Sequence, residues 1–517
     1  MKINDLPDDI DELKKLFIQT FEDRDHKLTQ KDQQLTQKDQ QLTQKEKLIK
    51  ELKDTILLLQ RRKFAPTSEQ IKDEAQLMLF NELEDIIDTG KEEEEEKESI
   101  TYERKKRGKR KPIPDNIPRI DDIIDLTEEE KVGMKYIGDE ITEKLEIEPA
   151  KITVRRIIKK KYAPIEGDGP VVCAKNPKKE LLPKSIASAS LVAYIITAKY
   201  VDALPLYRQE KIFERISAEL KRQTMARWLI QVSEKLTPLY NLMQDICLDK
   251  NYLEMDETRI QVLKEDGKKA TSKSYMWVRY SPGKNPIVLY DYSPTRSGDV
   301  PVELLTGFNG ILQVDGYDGY SKVCEQNNLT RAGCWDHARR KFFDAAKTSG
   351  GKGTGKKAVN IIKKLYKIEE KILGLPLEEK LKIRQEKSKP ILDEFKAWVD
   401  ETRQKITPKS VAGKAINYTY NEWKYLTVFL DHPEINISNC LVENSIRPFA
   451  VGRKNWLFSN SVDGANASAM YYSLIETAKA NGLEPFDYLN RMLDKLPAAE
   501  TLEDYQRLLP FKDQFLV

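Results

Sequence analysis

Asn251–Leu263, NYLEMDETRIQVL, alternates apolar and polar side chains with a period of two and reads as a half-buried strand with an acid, Asp256, near its centre. Ser274–Tyr280 (SYMWVRY) and Pro286–Tyr292 (PIVLYDY) continue it as a meander. Val300–Phe308 reads as a helix, and Gly310–Val314 (GILQV) as a strand that ends on Asp315. Strands and helices in this order make an α/β core, and acids at the ends of adjacent strands are how such a core offers carboxylates to a metal ion. One strand-borne Asp is weak on its own, because turns and strand ends collect Asp for ordinary reasons.

Downstream segments strengthen the pattern. Ala332–Phe343 (AGCWDHARRKFF) sets Arg339, Arg340 and Lys341 before an aromatic pair. Asn439–Asn455 (NCLVENSIRPFAVGRKN) places Glu443 on a helix with Arg447 one turn later on the same face, and Arg453, Lys454 and Asn455 follow. A carboxylate beside so many cations has two readings: a simple ion pair, or a metal ligand flanked by phosphate-binding side chains. Transfer of a phosphoryl group requires stabilisation of both the attacking and the leaving oxygen. Two Mg²⁺ or Mn²⁺ ions on hard carboxylate oxygens supply it. With three histidines in the whole chain, a histidine-rich zinc hydrolase does not fit.

A chain of 517 residues exceeds one ordinary domain, so a large core with appended modules is expected. Lys and Arg (87) barely outnumber Asp and Glu (84), so net charge names no partner and the placement of charge must be read instead. The first residues lack the basic start and apolar run of a secretory signal, and no stretch approaches the roughly 18 apolar residues that span a bilayer. Five scattered cysteines suit a reducing compartment. An intracellular, soluble protein with no membrane partner is expected.

Residues 1–64 carry Leu28, Leu35 and Leu42 at heptad spacing, extended by Leu52, Ile56 and Leu59, and predict a helical coiled coil through which copies would associate. The seam is thin, and a single solvated helix is the alternative. Residues 65–125 form a charged linker. Its basic run Arg104–Pro114 (RKKRGKRKPIP) reads equally as a tether or as a non-specific grip on phosphate. Strand-like alternation over Ile141–Tyr162 predicts a small β-rich module at 126–184. Residues 185–248 read as helices. Within them Pro205–Leu229 holds two amphipathic stretches broken at Ser217 and Ala218, a helix-turn-helix layout. It would set Arg222, Gln223, Thr224 and Arg227 against DNA, although any helical protein yields such pairs. The core occupies 249–345 and 423–480, a helical insertion 346–422, and a helical tail 481–517.

The chain resembles the transposases of the insertion-sequence-66 family. The resemblance is carried by MDET (Met255–Thr258), QVDGYDGY (Gln313–Tyr320), CWDHARRKF (Cys334–Phe342), VENSIRP (Val442–Pro448), GRKNWLF (Gly452–Phe458) and SLIETAKANGLEP (Ser473–Pro485), in order along the chain. It implies a DDE transposase on a ribonuclease-H-like core, with Asp256, Asp315 and Glu443 as the catalytic metal ligands for two Mg²⁺ or Mn²⁺ ions. It further implies a helical insertion over roughly Lys356–Glu422, recognition of the element's terminal inverted repeats and of target DNA, and accessory proteins encoded beside it. A bacterial cytoplasmic protein, nucleoid-associated when bound to DNA, is the corresponding expectation. Many relatives carry a Cys-rich zinc module before the helical pair. Val132–Pro164 here contains no cysteine, so no structural zinc is expected. Where the family commonly reads Asp-Asn-Asn before its Glu, this chain has Ser438, Asn439 and Cys440.

Gly350–Lys357 (GGKGTGKK) imitates a phosphate-binding loop, but Lys357 stands where Ser or Thr is required and the preceding segment reads as helix; a flexible hinge is the better reading. Cys334 and His337 are spaced to face a metal, but no second pair lies nearby in sequence, so packing or orientation of the adjacent Arg pair is favoured. Met225 and Trp228 read as core. Two other functions compete with an enzyme that cuts and rejoins DNA: a catalytically inactive transposase-derived DNA-binding protein, and a nuclease that cuts without joining.

Overall fold

The computed structural model describes residues 152–162, 172–174, 176 and 178–515, with single positions at 14, 45 and 49. The chain divides into two compact units, Glu92–Pro177 and the remainder. Lys14, Lys45 and Ile49 are helical and exposed. The coiled coil, the charged linker and its basic run otherwise lie outside the described residues. In the smaller unit β1 (Lys161–Tyr162) pairs antiparallel with β2 (Val172–Cys173). Of the strand-like alternation over 141–162, residues 161–162 are in a strand and 152–160 in none, while 141–151 lie outside the described residues. Val154 is 87% exposed and Ile158 75%. Alternation specifies a strand only where one face finds cover, and among the described residues these side chains find none.

The larger unit opens with α1 (Ala189–Tyr200), whose N-cap Ser188 accepts a hydrogen bond from Leu191 N–H. Next come α2 (Leu206–Arg215), α3 (Arg222–Lys235) and α4 (Thr237–Leu248). Between α2 and α3 the chain turns where the sequence broke its pattern, with Ser217 in the left-handed region at φ 60°. Met225 and Trp228 are buried, as their spacing predicted.

The sheet follows: β3 (Tyr252–Ile260), β4 (Val262–Lys264), β5 (Ser274–Ser281), β6 (Ile287–Ser293), α5 (Asp299–Leu304), β7 (Ile311–Gln313), α6 (Gly319–Gln326) and β8 (Thr330–Ala332). Strand order is β6-β5-β3-β7-β8. The meander β3, β5, β6 is antiparallel, while β7 and β8 run parallel to β3. The period of two divides β3 between two hydrophobic cores: Leu253 and Met255 enter the larger one, Tyr252 the smaller.

The smaller core is built by α7 (Trp335–Thr348), α8 (Gly353–Lys371), α9 (Leu377–Ile383), a π-helical turn Arg384–Ser388, α10 (Lys389–Lys405), α11 (Val411–Asn421) and α12 (Trp423–Leu426). Trp335, Phe342, Ile362, Phe395 and Ile416 fill it. Arg384, 2% exposed, grips both oxygens of Glu369 (2.9 and 2.6 Å) and the carbonyls of Phe429, His432 and Ile435. The glycine-rich stretch forms a tight α7–α8 corner. Gly350 and Gly351 take positive φ there, and a Cβ on Gly355 would lie 2.4 Å from Ala346 N, so the missing side chain is what lets the helices approach.

The chain closes with α13 (Cys440–Trp456), β9 (Ser459–Ser461), α14 (Val462–Ala480), α15 (Pro485–Lys495), α16 (Leu502–Gln506) and α17 (Lys512–Phe515). On the edge strand β6, Thr477 Oγ1 and Ser473 Oγ of α14 accept from Val288 and Tyr290 N–H at 2.9 and 2.8 Å, so the helix satisfies an edge that would otherwise invite another strand. No helix among the described residues is long and apolar enough to cross a membrane.

Candidate active site

The pairing Glu254↔Gln313 between parallel strands β3 and β7 fixes where two of the acids stand. Asp256 and Asp315 each lie two residues further along neighbouring chains. Asp256 Oδ1 accepts from Glu257 N–H at 2.8 Å and Asp315 Oδ1 from Tyr317 N–H at 2.9 Å. Glu443 comes from the first turn of α13. Burial, then the negative charges of Glu257, Asp315 and Glu443, hold the Asp256 carboxyl well above the usual range. The three predicted acids therefore share one electrostatic neighbourhood. Among the described residues no Lys or Arg forms an ion pair with the carboxylate of Asp256 or Asp315. A cluster of hard oxygens with unbalanced negative charge fits a divalent cation.

A buried polar network, missed in the sequence, aligns the elements that carry these acids. Glu254, fully buried, accepts from Val442 N–H of α13 at 3.0 Å, beside Glu443. Tyr252 Oη lies 2.8 Å from Glu254 Oε1 and also contacts Gln313 Oε1. Gln313 Nε2 donates to Gly333 O and Asn436 O, so Gln313 Oε1 can only accept. Tyr252 Oη therefore has one proton for two acceptors, Glu254 Oε1 at 2.8 Å and Gln313 Oε1. Burial pushes the Glu254 carboxyl up to about 7 against the donors that face it, Val442 N–H, Tyr252 Oη and Asn436 Nδ2.

Glu257 is the other acid that no sequence pattern singles out. Its carboxylate is 3% exposed, paired with Arg296 and accepting from Tyr320 Oη at 2.6 Å. Arg331 ties the Asp315 carbonyl to Glu422 at 2.8 and 2.9 Å.

The predicted cations divide into two groups. Arg340 is exposed and lies 3.3 Å from Glu443 Oε2, and Arg447, Lys454 and Asn455 are exposed on α13. Arg222, Gln223 and Arg227 are exposed and Thr224 half-buried at the start of α3, in a position to meet a partner. Two residues are corrected. Arg339 is 3% exposed, with its guanidinium 5.9 Å from the Tyr366 ring centre, so it supports α7 from within and does not face a duplex. Arg453 is held by Thr258 Oγ1 (3.0 Å) and the Arg259 carbonyl, fastening α13 to β3. Cys334, His337 and Glu443 converge, with ligand atoms all within 4.8 Å of one another.

A family model described as "Transposase IS66 family" matches residues 184–467, more than half of the chain. The chain belongs to that family. The "IS66 C-terminal element" matches residues 473–511, and a model described as "Transposase C of IS166 homeodomain" matches 51–121, which includes the basic run. Uncharacterized protein y4qI of Sinorhizobium fredii (strain NBRC 101917 / NGR234) is 30% identical over 99% of this chain and 98% of its own length. Uncharacterized protein y4jD of the same organism is 32% identical over 77% of this chain and 81% of its own. Membership in the IS66 family makes this a transposase-class enzyme with DNA as its partner, and divalent metal use is general to that class.

Proposed function

We propose that the chain is the transposase of an insertion sequence, which binds the element's terminal inverted repeats, cleaves at their ends and joins the freed 3′-hydroxyl to target DNA. What supports the reading is that Asp256 and Asp315 stand at neighbouring positions of β3 and just past β7, and that burial, then the charges of Glu257, Asp315 and Glu443, raise the Asp256 carboxyl. The strand order, three antiparallel strands followed by two parallel ones, supports a ribonuclease-H-like core with the helical insertion between the second and third acids.

Two Mg²⁺ or Mn²⁺ ions on these oxygens would activate the attacking water or hydroxyl and stabilise the leaving oxygen. The chain's own part is placement. The N–H groups of Glu257 and Tyr317 each hold one oxygen of Asp256 and Asp315, leaving the other oxygen of each carboxylate for a cation. Arg340, at the exposed rim beside Glu443, and Arg447 one turn along α13 are placed to meet backbone phosphates. The start of α3 serves as the helix-turn-helix contact with DNA, and the N-terminal coiled coil joins subunits. Accessory proteins of the same element and a cytoplasmic, nucleoid-bound location complete the reading.

The test is strand transfer by the purified chain on duplexes carrying the element's ends, with Mg²⁺ or Mn²⁺. Wild type should yield joined product, and Asp256→Asn none. Joining by Asp256→Asn would refute the catalytic assignment, and cutting without joining by wild type would refute transposition.

A further inference from the structure

Cys334 is the N-cap of α7 and His337 stands in its first turn, so the spacing of three places both side chains at one helix end. Glu443 reaches the same point from the first turn of α13. We propose that Cys334, His337 and Glu443 form a binding site for a zinc-class divalent cation, distinct from the all-oxygen site on Asp256 and Asp315 and joined to it through Glu443.

The ligand atoms lie within 4.8 Å of one another. Zinc bond lengths set tetrahedral ligands roughly 3.3 to 3.8 Å apart, so closure requires side-chain adjustments of about an ångström. His337 Nδ1 and Glu443 Oε1 are buried atoms, and although 3.5 Å apart they make no hydrogen bond with each other or with any other group. Buried polar atoms left without partners are costly, and a shared cation satisfies both. Asn439, the N-cap of α13 and fully buried, likewise has no partner for either side-chain polar atom.

The third ligand is prepared for an anion. The backbone of His337 and Asn439 beside Cys334 Sγ favours its thiolate, although the N-cap side chain makes no capping hydrogen bond. Left alone, burial and the charges of Asp336 and Glu443 keep the thiol protonated. Cation binding therefore forms the sulfur–metal bond and releases that proton to solvent. Sulfur and imidazole select zinc-class ions, whereas Mg²⁺ prefers the oxygen site. Three protein ligands leave one coordination position open. Such a cation would hold Glu443 by Oε1, leave Oε2 for the oxygen site, and tie α7 to α13.

The inference does not depend on transposition, and its test separates the two. The full-length protein is titrated with Co²⁺ as the probe. Wild type should bind one equivalent with an intense thiolate-to-cobalt charge-transfer absorption, displaced by Zn²⁺ and not by excess Mg²⁺. The band should persist in the Asp256→Asn/Asp315→Asn double variant, and disappear in Cys334→Ser and weaken sharply in His337→Gln, with circular dichroism confirming that each is folded. No band in folded wild type, or a band that survives Cys334→Ser, overturns the proposal. If Cys334→Ser does not fold, an undiminished band in His337→Gln overturns it equally. A normal band in a protein that never joins DNA would sink the transposase reading and leave this one standing.

Discussion

Glu254→Gln isolates the proton that burial favours on Glu254. In this arrangement glutamine can replace the carboxylic acid group for group: its N–H donates to Tyr252 Oη and its oxygen accepts from Val442 N–H. What glutamine cannot do is ionise. Burial raises the Glu254 carboxyl from the ordinary 4.5 to about 7, and no cationic side chain contributes to holding it charged. The folded state therefore binds the proton more tightly than the unfolded one. The resulting stability is fully present below pH 4.5 and is lost as pH rises to about 7, with no further loss above. At 1.36 kcal/mol per pH unit the whole loss is about 3 kcal/mol, of which about 2.5 kcal/mol falls between pH 5 and pH 8. Urea unfolding of both proteins across this range should show the variant gaining on wild type by that amount. Parallel curves would refute the protonated assignment. Glu254→Ala should behave differently. It orphans Val442 N–H and leaves a cavity, costing about 2–4 kcal/mol at every pH and abolishing strand transfer that the Gln variant retains.

Replacing Arg222 and Arg227 together with alanine should weaken binding to duplex DNA and flatten its log–log salt dependence by up to about 2 if both meet phosphates; an unchanged slope in a binding titration over salt would remove α3 from the interface. Arg384→Leu strands Glu369 and three carbonyls inside the smaller core. A loss of about 3–5 kcal/mol is expected, seen as hydrogen exchange accelerated in α8 and α10 before the sheet responds.

The sheet was legible from its apolar strand runs, although β5 and β6 are buried on both faces and do not alternate as a half-buried strand would, and Asp256 and Asp315 were legible because each ends or interrupts such a run. The break at Ser217 marked the α2–α3 turn for the same local reason. What escaped depends on contacts distant in sequence. Glu254 reads as a solvent-facing polar position, yet the N-terminus of α13 covers it. Cys334 and His337 lacked a local partner, and Glu443 supplies one only after the helical insertion has been traversed. Arg339 and Arg340 are adjacent and identical in type. The turn of α7 alone sends the first inward to Tyr366 and the second to the rim.

The polar contacts of Glu254 and Gln313 bind the stretch before α13 directly to β3 and β7, while the insertion gathers around the smaller core, which it shares with Tyr252, Ile311 and Ala332 of the sheet. The spacing of the third acid from the other two is thereby set in part without the excursion between them. Such an architecture leaves the outer turns of that excursion open to lengthening or trimming, while the part that carries Glu422 must keep its place beside Asp315.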